Sequence, residues 1–156
     1  MQQNPTTLKG TIMNTFFSNH AGSDSFVPAI GRVLLATIFV ISAIGKIAAP
    51  EATIGYIESV GLPFATLGLA IAIAVELGGG LLLALGVKAR AVAAVLAAFS
   101  IVTGLAFHHA IGDQNQLIHL LKNFAMAGGL LQVVAFGAGA FSIDQRLARP
   151  AARQFA

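Results

Sequence analysis

Four stretches of the chain, residues 28–48, 64–87, 89–109 and 117–141, run almost wholly apolar. A helix rises ~1.5 Å per residue and needs about 20 mostly apolar residues to cross the hydrocarbon layer of a bilayer. Barrel strands would be about ten residues long and would alternate in polarity. The four runs are longer and do not alternate, so the pattern predicts an all-α fold, a four-transmembrane-helix bundle. Pro28 suits the first turn of span one, and a Gly61-Leu62-Pro63 break precedes span two. The connections are short except for residues 49–63, "APEATIGYIESVGLP". Ile54, Ile57 and Val60 recur there at roughly helical spacing. That fits a short helix lying in the interface with Tyr56 at headgroup level, or equally an irregular loop.

Each span carries a stripe of polar or small residues at helical spacing. Span one has Arg32, Ala36, Phe39, Ala43 and Lys46. Span two has Gly68, Ala72, Glu76, Gly80 and Ala84. Span three has Ser100, Gly104 and His108, and span four has Lys122, Ala125, Gly129 and Gln132. Small residues so spaced let helix backbones approach closely in lipid, which makes Gly68, Ala72, Gly80, Gly104 and Gly129 the expected packing positions.

Glu76 is the residue that stands out. It sits mid-span in "GLAIAIAVELGGGLLLALG", on a packing stripe and at mid-membrane depth. Lys122, about 9 Å away along the membrane normal, and Arg32, offset by a similar amount toward the other end, are the expected counter-charges. His108 and Lys46 fall near the outer boundary, and Asn123 adjoins Lys122. Glu76, Lys122, Arg32, Lys46, His108 and Asn123 together form the candidate intramembrane polar site. Ionisable residues inside a membrane are costly and mark functional sites by default, but an ion pair or a protonated carboxyl that only fixes helix packing is the competing reading. Arg32 is expected to be an anchor that snorkels to the interface, and Lys46 to be another.

Composition agrees with the pattern. Of the 156 residues, 10% are charged and 56% hydrophobic, and mean hydropathy is +0.83. Soluble domains average roughly 25% charged residues, so this chain has too few charges to cover a water-facing surface. Tryptophan is absent and Tyr56 is the single tyrosine, so the aromatic belt is thin. No cysteine is present for a disulfide or for thiol chemistry. The basic residues sit singly at span ends, which is no nucleic-acid signature. One membrane side collects Lys9, Arg32, Lys88, Arg90, Arg146, Arg149 and Arg153, the other only Lys46 and Lys122. This bias places both termini in the cytoplasm.

Residues 1–27 are expected to form a mobile polar tail without a secretory signal, with Phe16 and Phe17 near the membrane surface. Residues 28–147 form the transmembrane domain, and 148–156 a basic tail. His108, His109 and His119 flank one loop together with Asp113, but their spacing matches no metal site, so no metal is expected. Haem is not expected either, because the membrane-proximal histidines share one end.

Ordered pieces of the chain resemble the DoxX family of small bacterial membrane proteins. They are "GRVLLATIFVISAIGKIAAP", "GYIESVGLP", "VELGGGLLLALGVKARAVAA", "HLLKNFAMAGGLL" and "GAFSIDQRL", spanning roughly residues 28–147. The resemblance implies a four-helix protein of the bacterial inner (cytoplasmic) membrane. It also implies an association with redox chemistry, since some relatives are described as subunits of quinone-linked oxidoreductases or as parts of complexes for oxidative-stress defence. It supplies no catalytic residues. Arg32, Lys46, Glu76 and Lys122 match the family pattern.

Three functions compete. The first is a quinone-linked redox subunit, with quinone bound between helices near Glu76. Its electrons would come from a partner, so any oxidoreductase activity is expected in a membrane redox complex rather than in this chain alone. The second is a non-catalytic scaffold or accessory subunit, including a homo-oligomer, whose buried charges set helix register and partner choice. The third is transport of a small solute or proton, for which four spans are few and no convincing internal repeat is present.

Overall fold

A computed structural model describes residues 25–148. The readings of the N-terminal tail, with Lys9, Phe16 and Phe17, and of Arg149 and Arg153 lie outside the described residues. Among those described, the chain is helical with no strand. Helix α1 is Val27–Ala48 and α2 is Pro50–Ser59. Helix α3, Ala65–Leu85, includes a π-helical turn at Ala74–Gly78. Helix α4 is Ala89–Phe107, α5 is Gln114–Phe136 and α6 is Ile143–Ala148. α1, α3, α4 and α5 are each long and apolar enough to cross a membrane.

The four spans run up and down, with α4 against α5 and α1 against α3 as the two closest pairs. The core between them is built of alanines and a few larger side chains: Ala36 and Phe39 from α1, Leu83 from α3, Ala93 and Leu96 from α4, Ala127 and Leu130 from α5. Outward-facing positions remain apolar, as with Leu34 and Ile41 on α1 or Leu121 and Leu131 on α5. Such a surface is stable against lipid rather than water.

Close approach explains two of the glycines. A Cβ on Gly104 would lie 2.8 Å from Asn123 Cβ, which is how near α4 comes to α5. A Cβ on Gly80 would lie 2.9 Å from Val40 Cγ2 and 3.3 Å from the Ala36 carbonyl oxygen. Gly80→Ala should therefore force α1 and α3 apart and cost about 1–3 kcal/mol, read as a lower thermal midpoint in detergent. Gly128→Ala is the control, because a Cβ there meets nothing within 4 Å.

The fourth span differs from the sequence reading, covering 114–136 rather than 117–141. The Asp113 carboxylate accepts the Gln116 N–H at 2.9 Å and starts the helix early. Gly137, with φ +84°, ends it. The chain then turns back, and Phe141 stacks on Phe26 with ring centroids 4.1 Å apart. The stripe read on this span also differs. Lys122, Ala125 and Gln132 are exposed, and α5 instead turns Leu120, Ala127, Leu130 and Val133 to the bundle. The 49–63 connection resolves in favour of the helix. Ile57 of α2 packs on Ala65 and Leu69 of α3, and the Tyr56 hydroxyl donates to the Phe107 carbonyl at the end of α4, at 3.2 Å.

Candidate functional site

Glu76 lies within the π-helical turn of α3 and is 7% exposed. Lys46, in the last turn of α1, donates from Nζ to both carboxylate oxygens, at 3.0 and 2.8 Å. A lysine so near a helix end could snorkel outward to water. Helical side chains lean toward the N-terminus of their helix, and Lys46 accordingly leans back into the bundle and ties α1 to the π turn. A π turn replaces i→i+4 hydrogen bonding with i→i+5, is rare, and is frequently found at functional sites.

This corrects the expected pairing of Glu76 with Lys122 or Arg32. Lys122 is on the exposed face of α5, which packs on α4 rather than α3. Arg32 is not a snorkelling anchor. It is 1% exposed, and its guanidinium donates to the carbonyls of Leu83 at 2.9 Å, Ala84 at 3.1 Å and Phe141 at 2.7 Å. It satisfies the Ala84 carbonyl at the end of α3, adds a second donor to the Leu83 carbonyl that also accepts the Gly86 N–H, and fastens the returning 137–142 segment to them. Asp144 completes this knot by accepting the N–H groups of Lys88 and Ala89, at 2.7 and 2.8 Å, where α4 begins. The six candidate residues thus divide: Glu76 and Lys46 pair, Lys46, His108 and Asn123 line a cavity, and Arg32 and Lys122 lie elsewhere.

That cavity, of about 750 Å³, opens beside Lys46 between α1, α2, α3 and α4, with Asn123 of α5 also lining it. Its walls are largely apolar, with Ile57, Leu62, Phe99, Val102 and Phe107 among them. Much of its polar lining is already engaged. The Thr103 hydroxyl donates to the Phe99 carbonyl at 2.8 Å, and the Asn123 amide N–H donates to the His119 carbonyl at 3.0 Å. His108 Nδ1 lies 2.9 Å from Gln116 Oε1, and its ring stacks on His119 with centroids 5.0 Å apart. Among the described residues, the third Nζ–H of Lys46, the Ser42 hydroxyl, Asn123 Oδ1 and His108 Nε2 keep hydrogen-bonding capacity toward a ligand. Donors thus sit on α1 and acceptors near the α4–α5 end of an apolar chamber, whose size is in the range of small-molecule sites. No group of three or more histidines and carboxylates placed to hold a metal is present among the described residues.

Sequence reasoning missed Ser42, Thr103 and the cavity role of Tyr56. Thr103 is one position from the stripe residue Gly104, and no spacing rule singles out Ser42. The π turn has no signature in "AVELG".

The DoxX family model matches residues 27–109, which cover α1 through α4. The chain belongs to the DoxX family. Among similar DoxX-type chains are two from Escherichia coli strain K12. Inner membrane protein YqjF is 33% identical over 118 residues, covering 76% of this chain and 89% of the relative. Inner membrane protein YphA is 30% identical over 124 residues, covering 75% and 87%. No solved structure gives a significant match. With its four apolar spans, this DoxX protein is a multi-pass protein of the bacterial inner membrane.

Proposed function

We propose that the protein is a quinone-linked redox subunit and that the cavity beside the Lys46–Glu76 pair receives the quinone headgroup. The observation that carries this reading is an apolar chamber of about 750 Å³ at the end of the bundle where α2 lies, with an intramembrane ion pair at its edge. A quinone needs donors at its carbonyl oxygens, and Lys46 Nζ and the Ser42 hydroxyl are donors on one wall. Reduction to a quinol takes two electrons and two protons. A partner protein supplies the electrons. Lys46 Nζ can pass a proton to the headgroup oxygen, with Glu76 bonded to it from behind, and His108 Nε2 or Asn123 Oδ1 can accept from a quinol hydroxyl. In this reading both termini are cytoplasmic, which puts the cavity toward the periplasm.

A short-chain quinone titrated into the purified protein should raise its thermal midpoint saturably. A ligand at 100 times its Kd stabilises by about 2.7 kcal/mol. A hydrocarbon of the same tail length, lacking the carbonyls, should give a smaller shift. Equal shifts, or none from the quinone, would reject the reading.

One observation favours a purely architectural role. Lys46 engages both oxygens of Glu76, so the pair satisfies itself while joining two helices. In that case the protein is a scaffold whose variants change assembly but not the turnover of an assembled partner.

A further inference from the structure

The opposite end of the bundle holds a second cavity of about 640 Å³, where the first turn of α4 meets the returning segment after α5 and α6. Lys88 and Arg90 both line it. Neither side chain makes an ion pair or hydrogen bond among the described residues. Asp144 is the acidic residue in the lining. Both of its oxygens accept backbone N–H groups at the start of α4, so its charge is engaged by that helix terminus rather than by either cation.

The backbone beside the cations adds donors. Gly137 and Gly139 have φ of +84° and +77°, on either side of Ala138. A Cβ on Gly137 would lie 3.3 Å from Arg90 Nε, so the guanidinium lies against this turn. The Gly137 N–H is used by the Val133 carbonyl at 2.8 Å, but those of Ala138, Gly139 and Ala140 have no acceptor among the described residues. Successive open backbone N–H groups in a bend can line an anion-binding concavity. The rim is apolar, with Phe136 79% exposed beside the cavity.

We infer that this cavity binds a phosphate group, carried by an anionic phospholipid or free in solution. Two unengaged cations and open backbone donors match a phosphate's charge and its acceptor oxygens. The position at the ends of two spans, with an apolar rim, suits a headgroup whose chains run along the protein. Basic pockets between transmembrane helices bind anionic headgroups elsewhere for the same reasons. The site is separate from the Lys46–Glu76 pair and does not depend on the quinone reading.

The test uses full-length protein, delipidated in mild detergent and examined by native mass spectrometry. Its three probes are dihexanoyl phosphatidylglycerol, dihexanoyl phosphatidylcholine and inorganic phosphate. Phosphatidylglycerol should bind at one per chain, at least tenfold more tightly than phosphatidylcholine, and Lys88→Gln/Arg90→Gln should weaken it at least tenfold. Both residues are exposed, so the double variant should keep the wild-type thermal midpoint in phosphatidylcholine micelles. Phosphatidylglycerol binding without inorganic phosphate binding identifies the lipid as the source. Inorganic phosphate binding as tightly identifies free phosphate. The inference is overturned if neither anion binds, if phosphatidylcholine binds as well as phosphatidylglycerol while inorganic phosphate does not bind, or if the double variant binds like wild type.

Discussion

Arg32→Leu should destabilise the bundle by roughly 3–5 kcal/mol, the largest single effect expected in this protein. Its guanidinium makes three hydrogen bonds to main-chain carbonyls and is 1% exposed. Leucine would leave the Ala84 and Phe141 carbonyls without donors, while the Leu83 carbonyl would keep only the Gly86 N–H at 3.1 Å. Each hydrogen bond to a charged group is worth about 1.5–3 kcal/mol, and an orphaned buried acceptor adds about 1–3 kcal/mol. Part of this returns as the burial of an apolar side chain. Arg32→Lys should recover only a fraction, because one ammonium cannot reproduce the fork that reaches α3 and Phe141 together. Denaturation in mixed micelles followed by far-ultraviolet circular dichroism would measure the loss. A change below about 1 kcal/mol would show that the Ala84 and Phe141 carbonyls find other donors.

The Lys46–Glu76 pair makes the second large prediction, and it separates structure from function. Removing one partner of a buried pair typically costs about 3–5 kcal/mol. Lys46 retains 25% of its side-chain exposure, so Lys46→Met should cost less, on the order of 2–3 kcal/mol. Replacing both, in Lys46→Met/Glu76→Leu, should restore most of that stability, because apolar side chains of similar volume often equal or exceed a buried ion pair. The restored double variant should nonetheless bind quinone at least tenfold more weakly, having lost the donor at the cavity edge. If it binds quinone as wild type does, the pair serves architecture alone.

How legible this was in the sequence follows from the range of each interaction. The four spans were legible because membrane crossing is a matter of apolar length, and length is local. Helix ends were less so. The early start of α5 rests on Asp113, three residues from the amide it caps. The start of α4 rests on Asp144, 55 positions from the Ala89 amide it holds. The same limit governed the polar groups. Counting residues along the membrane normal put Lys46 at the boundary and Lys122 nearer Glu76. The outcome turned instead on the direction in which a lysine leans and on which helices touch. Arg32 was visible as a residue but not as a role, since three carbonyls from distant segments converge on it only in the folded chain. The family likeness located the protein in the inner membrane. It did not indicate the cavity, whose lining is drawn from five helices.

The most direct test of the central claim is the quinone retained by protein purified in mild detergent, extracted into organic solvent and quantified per chain. It should be compared with Ala106→Phe, which places a ring in the cavity beside Phe107 and His108. Wild-type protein should carry close to one quinone per chain, and the filled variant, with its helical content unchanged, should carry almost none. Equal quinone in the two, or none in the wild type, would contradict a quinone site beside Lys46 and Glu76.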